Sequence, residues 1–241
     1  IGIAIGTALL PKLSREIQSG ELEKAKRSQD HALEFGMVLA LPAAIGLLVL
    51  SQPIISTLFE RGAFSPAAVD ATAQTLFYYA IGLPAFIIIK VLQPSFFARY
   101  DTLTPVKVAS FMVLANLVLN IILMQYLAHA GLALATSITA WLNAAILTFI
   151  LKQKGLHQHS KKTHIKLARI FMASAVMGMG LLGLREFVGD SIFASKSWDI
   201  LSLTTLIVFG LFLYVIPVFL FRVVRLSEVR QEIKSWVKNN Q

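Results

Sequence analysis

The sequence predicts an all-α fold, a polytopic membrane bundle of six full transmembrane helices plus the end of a seventh. Three observations carry this. Of the 241 residues, 56% are hydrophobic and only 15% charged, with a mean hydropathy of +0.69, whereas a soluble domain is about 25% charged. The apolar residues gather in runs of about 20, the length that crosses a hydrocarbon core ~30 Å thick. The cations also segregate: when loops and span ends are assigned alternately to two sides, eighteen of the 22 Lys and Arg fall on one side and three on the other. Short cytoplasmic loops retain positive charge, so the basic side is expected to be the cytoplasm.

In chain order, residues 1–10 (IGIAIGTALL) are the apolar end of a span. They open on Ile1 with neither Met nor a basic leader, so the chain reads as the C-terminal piece of a longer protein. Residues 12–33 mix Lys12, Arg15, Lys24, Lys26 and Arg27 with Glu16, Glu21 and Glu23, and 1–33 is therefore taken as a span end plus an amphipathic cytoplasmic connecting helix. The first complete run, 34–50, stays apolar to Phe59, which suggests an interfacial continuation beyond Gln52. Runs 71–99, 104–127 and 131–151 complete a group over 34–151. The connection AHAG is so short that the helices on either side must pack antiparallel. A final pair, 165–184 and 199–222, makes up the unit 165–222. In the tail, 223–241, Leu226, Val229, Ile233, Trp236 and Val237 recur at helical spacing opposite Arg225, Arg230, Lys234 and Lys238. That pattern suits a helix on an anionic leaflet, or equally a solvated basic tail.

The same inventory excludes several functions. All 13 acids lie in loops, at span ends or in the tail, so proton-relay carboxylates and an intramembrane aspartyl pair are not expected. There is no cysteine, and His157 and His159 sit in the polar loop GLHQHSKKTH, which reads as solvated. No nucleophile with a base and an orienting partner can be assembled, so a membrane transferase or protease is disfavoured and no enzyme activity is expected. A pI near 9.9 would suit a nucleic-acid binder, but these cations are spread over every loop on one side rather than clustered on one folded face.

What remains is backbone irregularity and a few polar groups within spans. Pro42, Pro84, Pro94 and Pro217 each remove a backbone donor and bend the helix, a common device of rocking transporters. Lys90 is the one cation well inside a span. A charge at that depth costs a few kcal/mol unless it faces a wet cavity, is paired, or reaches polar groups, so it reads as a cavity-facing cation or as a structural Lys bound to backbone carbonyls. Asn116 and Asn120 share a helix face at i, i+4 spacing, and the next helix carries Thr136, Ser137, Thr139 and Asn143. These oxygens suit a weak cation site or an interhelical hydrogen-bond seam.

The segment KVLQPSFFARYDTLTPVKVA, residues 90–109, resembles the MurJ (MviN) lipid II flippases of the multidrug/oligosaccharidyl-lipid/polysaccharide exporter superfamily. Lys90, Pro94, Phe96, Phe97, Arg99, Asp101, Thr104, Pro105 and Lys107 follow that family's pattern. GTALLPKLSR at 6–15, LFERGAFS at 58–65 and GLALATSITAWLNA at 131–144 extend the likeness from Ile1 to the tail. The resemblance implies two lobes around a cavity, of which the N-terminal lobe is missing from this chain, and two C-terminal helices lining a lipid-tail groove, here the pair within 165–222. It implies a multi-pass protein of the bacterial inner membrane, with a cytoplasmic C-terminus, that flips lipid II to the outer leaflet; a sister exporter of another polyprenyl-linked saccharide or a drug is the alternative. Lys90, Arg99, Asp101 and Lys107 then become cavity or gate residues. Some members bind sodium in the second lobe, and Asn116, Asn120 and Thr136 match those positions, with Leu132 at a backbone-carbonyl position. This chain has Asn120 where the family has an aspartate.

Overall fold

The computed structural model describes residues 2–61, 64–155, 160–188 and 200–221. Within them lie seven helices: α1 (Gly2–Gln18), α2 (Leu22–Phe59), α3 (Pro66–Phe97), α4 (Leu103–Leu127), α5 (His129–Gln153), α6 (Lys161–Val188) and α7 (Ile200–Leu220). Six, α2 to α7, are long and apolar enough to cross a membrane. The expected tail helix over 223–241 and the His157/His159 loop lie outside the described residues.

The stretch 12–33 is not one connecting helix. Its first part extends α1 to Gln18, and its remainder starts α2. The break falls at Gly20, whose φ of +76° only glycine adopts freely. There the Gly20 N–H donates to Ile17 O (3.1 Å) and the Glu21 N–H to Glu16 O (2.9 Å), a Schellman closure. Nothing between Leu22 and Ala40 breaks a helix, so the charged arm runs directly into the span. At 38 residues, α2 is about 57 Å long at ~1.5 Å per residue, far beyond bilayer thickness. It continues beyond Gln52 through Pro53 to Phe59, as the apolar run to Phe59 suggests, and does so as part of the same helix.

Other termini follow from local chemistry. Ser65 caps α3 by accepting from the Ala68 N–H (3.3 Å), with Pro66 in the first turn where no N–H is needed. Tyr100 (φ +60°) ends α3 as Gly20 ends α1, with N–H bonds from Tyr100 to Phe97 O and from Asp101 to Phe96 O. The α4–α5 turn is the single residue Ala128, also at positive φ.

The helices pack through small residues, as expected where lipid removes the hydrophobic drive between them. A Cβ added at Gly36 would come within 2.5 Å of Ile87 Cγ2, one at Gly82 within 2.7 Å of Ser137 Oγ, and one at Gly178 within 2.6 Å of Ile45 Cγ2. One core joins α1, α2, α3, α6 and α7 around Leu13, Met37, Val91, Ile170 and Leu181. A second joins α3 and α5 around Leu92, Phe96, Leu147 and Leu151. Helix α4 is peripheral. Only its Pro105 and Met112 are buried, and it rests chiefly on α5 with Phe111, Leu114, Leu117, Val118 and Ile121 exposed. The pair α6–α7 meets the rest of the bundle chiefly through α2.

The helix ends that the charge pattern groups together touch one another. Gln18 Nε2 donates to Tyr100 Oη (3.3 Å), Lys154 Nζ to Asp101 Oδ2 (2.6 Å), Lys166 Nζ to Glu34 Oε2 (2.8 Å) and the Ser160 N–H to Asp30 Oδ2 (3.3 Å). At the opposite end Gln52 Nε2 meets Asp70 Oδ1 (3.3 Å), and His129 Nε2 lies 3.1 Å from Ala71 O. The alternation inferred from Lys and Arg is therefore the alternation of the helices.

Candidate functional site

Lys90 lies on the exposed side of α3, where α1 crosses it. A Cβ at Gly2 would stand 3.4 Å from Lys90 Cγ, and one at Gly6 3.1 Å from Lys90 O. Two glycines one turn apart on α1 thus make room for the stem and backbone of Lys90. Pro94, four residues on, has no N–H to give the Lys90 carbonyl, and Gly6 packs against that freed oxygen. No hydrogen bond or ion pair of the ammonium is recorded among the described residues. The charge therefore stands on a face that this chain leaves open.

Arg99, Asp101 and Lys107 do not join Lys90. Arg99 is nine residues further along, about 13 Å at the helical rise, and its Nη1 donates to Ser95 O at 2.6 Å, closing the last turn of α3. Asp101 is the centre of the elbow between α3 and α4. Its carboxylate accepts from Lys154 Nζ, from the Thr104 N–H (3.1 Å) and from Thr104 Oγ1 (2.9 Å), while Lys154 also sits 5.9 Å from the Phe96 ring centroid. Lys107 is exposed in the first turns of α4. The 90–109 motif thus divides into one open cation and a rigid elbow.

The Lys154 ammonium, followed by the Thr104 bonds, holds the Asp101 carboxyl below its ordinary value of 3.8. A depressed carboxylate contributes stability above its unfolded pKa, and that contribution is lost as pH falls through the folded value. Asp101→Asn is accordingly expected to melt lower than the parent by a constant interval at neutral pH. The interval should close as pH drops below 3.8. An interval unchanged down to pH ~3 would show that the ion pair is not its source.

Along the α4–α5 hairpin, Asn120 Nδ2 donates to Asn116 Oδ1 (3.0 Å), and Asn116 Nδ2 to Thr139 Oγ1 (3.2 Å). The Thr139 hydroxyl lies 2.9 Å from Ala135 O and 3.0 Å from Thr136 O. Thr136 Oγ1 turns to Leu132 O on its own helix, 2.8 Å away. Asn116 and Asn120 are brought together, and the cross-helix partner is Thr139 rather than Thr136. Among the described residues, Asn120 Oδ1 and Asn143 Oδ1 are buried without a hydrogen-bond partner. No group of three His, Cys, Asp or Glu that could hold a metal ion occurs among the described residues.

One proline-freed carbonyl also finds a partner that the sequence reading does not single out. Tyr214 Oη of α7 donates to Val38 O (2.7 Å), the carbonyl that Pro42 leaves without its helical donor. Near Pro84, α5 donates to carbonyls flanking Ala80: Trp141 Nε1 to Ile81 O (3.0 Å) and Ser137 Oγ to Tyr78 O (2.6 Å). For Val38 the available signal was its place four residues before Pro42, where the carbonyl demands a donor from elsewhere.

The comparisons agree on what this arrangement belongs to. The family model described as "Lipid II flippase MurJ" matches residues 1–220. The chain is 35% identical over 238 residues to a probable lipid II flippase MurJ of Rhizobium tropici, covering 97% of this chain and 44% of that protein. It is 37% identical over 229 residues to one of Vibrio cholerae, covering 95% and 43%. The solved structure of a lipid II flippase MurJ in an inward closed conformation superposes with a TM-score of 0.73 at 25% identity, over 91% of this chain and 43% of that one. The chain therefore spans less than half the length of the curated relatives it matches across its whole extent. With the shared helical bundle, the 90–109 pattern and a family match running from the first residue through α7, the chain belongs to the MurJ lipid II flippase family.

Proposed function

We propose that this chain is the second lobe and C-terminal helix pair of a flippase that carries lipid II from the cytoplasmic to the outer leaflet of the bacterial inner membrane. The observation that carries the reading is the family match over residues 1–220, because it includes the motif from Lys90 to Lys107. Relatives named as probable lipid II flippases extend well beyond the matched segment, and the open face beside α1 and Lys90 is where a first lobe would complete a cavity. In this reading residues 1–33 lead into the lobe, 34–151 build its spans, 165–222 form the groove pair and 223–241 a basic cytoplasmic tail. Lys90 meets an anionic headgroup, since an ammonium at that depth needs an anion or water. Arg99, Asp101 and Lys107 frame the cytoplasmic elbow that holds α3 and α4 in register. No step requires covalent chemistry, and the protein acts as a transporter.

Orientation follows from the eighteen-to-three division of cations. In the intact protein, cysteines at Gln153 and Ser191 are expected to react with an impermeant thiol reagent from the cytoplasmic and periplasmic sides respectively. Labelling of both from the periplasm would refute the topology. The activity itself is tested by complementation: the gene carrying this chain should sustain a strain depleted of its own lipid II flippase. Failure at normal membrane levels would refute the reading.

For Asn116, Asn120 and Thr136 we propose a hydrogen-bonded seam in place of a sodium site. Both amide nitrogens donate along the chain Asn120–Asn116–Thr139, every side-chain oxygen is neutral, and the Thr136 hydroxyl is turned to Leu132 O, although Asn120 Oδ1 is left without a partner. Asn120→Asp would remove the donor that Asn116 Oδ1 accepts and set two acceptors face to face, at a cost of about 1–3 kcal/mol. Both parent and variant should melt at temperatures independent of sodium, with the variant lower. A rise in melting temperature with sodium but not with potassium, in either protein, would establish a cation site.

A further inference from the structure

Three of the contacts that fasten the pair α6–α7 to α2 straddle Pro42, a residue that bends a helix. Before the bend, Lys166 Nζ donates to Glu34 Oε2 at 2.8 Å, and Glu34 is buried at 8% exposure. After it, Ile45 Cγ2 lies where a Cβ on Gly178 would come within 2.6 Å, so α6 seats directly on α2 there. The spacing matches: Glu34 to Ile45 is eleven residues on α2, and Lys166 to Gly178 is twelve on α6, as for two helices running parallel. At the bend itself Tyr214 of α7 is buried and donates its hydroxyl to Val38 O.

That third contact is a consequence of the proline. In an uninterrupted helix the N–H of residue 42 would satisfy Val38 O, and Pro42 has none. An unsatisfied carbonyl in an apolar setting costs more than a hydrogen bond contributes, so the bent form of α2 needs a donor at this point, and α7 supplies it. We infer that Tyr214 is a positioning residue that couples the bend of α2 at Pro42 to the seating of the α6–α7 pair. Straightening or further bending α2 changes the direction of the Val38 carbonyl and must either carry α7 along or break the Tyr214 bond. Because α6 and α7 reach the other helices chiefly through α2, this joint sets where the pair stands relative to the lobe. The inference does not rest on the identity of the transported lipid.

The test is a double-mutant cycle in the intact protein, read as the folded-to-unfolded ratio in mild detergent. Tyr214→Phe should lower the ratio about fivefold to tenfold, the equivalent of one hydrogen bond. In a Pro42→Ala background, where residue 42 recovers its N–H, the same change should alter it less than twofold. A packing control, Leu206→Ala on the same helix, should cost the same in both backgrounds. Additive effects of Tyr214→Phe and Pro42→Ala would overturn the coupling. If Pro42→Ala does not fold, spin labels at the exposed positions Phe35 and Leu211 provide the second measurement. Tyr214→Phe should broaden or shift their distance distribution while Leu206→Ala leaves it unchanged; an unchanged distribution in Tyr214→Phe would equally overturn the inference.

Discussion

Replacement of Gly131 by valine is expected to separate α4 from α5. A Cβ at this position would lie 2.5 Å from Leu123 O, 2.6 Å from its carbonyl carbon and 2.9 Å from Met124 N. All three are backbone atoms that no rotamer change can move aside. Overpacking a well-packed core costs roughly 1–3 kcal/mol, and the effect here should sit at or above the top of that range because the helices must part. Helix α4 has little else to hold it, being buried only at Pro105 and Met112. The Asn116–Thr139 bond should open with the hairpin, so a disulfide between cysteines at 116 and 139 should form readily in the parent and poorly in the variant. Gly183→Ala is the control, since a Cβ there meets nothing within 4 Å. A Gly131→Val protein that melts with the parent and still forms the disulfide would contradict this packing.

On the proposed function, Lys90→Ala in the intact protein is expected to lose complementation, with flipping reduced at least tenfold and membrane levels unchanged. Stability should be little affected, because the ammonium makes no recorded bond among the described residues, and the stem that α1 packs on is partly retained as Cβ. The loss would come from the headgroup: a single cation at that depth replaces water for an anionic partner, and its removal leaves the anion unsolvated. Lys90→Arg keeps the charge and should retain part of the activity, held back by the larger guanidinium in a space set by Gly2 and Gly6. Full function in Lys90→Ala would show that the residue serves the fold alone.

Much of this architecture was legible in the sequence because membrane solvent leaves few choices. Twenty-residue apolar runs must be helices when no water is present to satisfy their backbone, and the charge asymmetry fixed which ends lie together, as the Lys154–Asp101 and Lys166–Glu34 pairs bear out. Boundaries were less legible where a helix continues into water. The arm from Leu22 carries no apolar signal yet runs unbroken into the span, since only Gly20 interrupts it. The candidate site residues divide in the same way. Lys90 stands out as a candidate because a charge at that depth is costly. The roles of Arg99 and Asp101 depend on a Schellman turn formed by a tyrosine at positive φ, which no propensity foretells. Asn116 was visible as a polar residue in an apolar helix, but its partner depended on hairpin register. Ala128 is the whole turn, so Thr139, eleven residues after it, lies level with Asn116, twelve before, whereas Thr136 lies level with Asn120. Which of these levels pairs across the helices is a matter of rotation about the helix axes, and only the packing sets that.

The central claim, that this chain is half of a lipid II flippase, is tested most directly by transbilayer movement of the lipid itself. Purified intact protein would be reconstituted into vesicles carrying labelled lipid II in one leaflet, and its appearance in the other followed by access to a membrane-impermeant enzyme or quencher. The account predicts protein-dependent transfer that is lost in Lys90→Ala and absent from vesicles containing residues 1–241 alone, which provide only one side of the cavity. Transfer by the isolated chain at the rate of the intact protein, or no transfer by the intact protein when it is folded and correctly inserted, would contradict it.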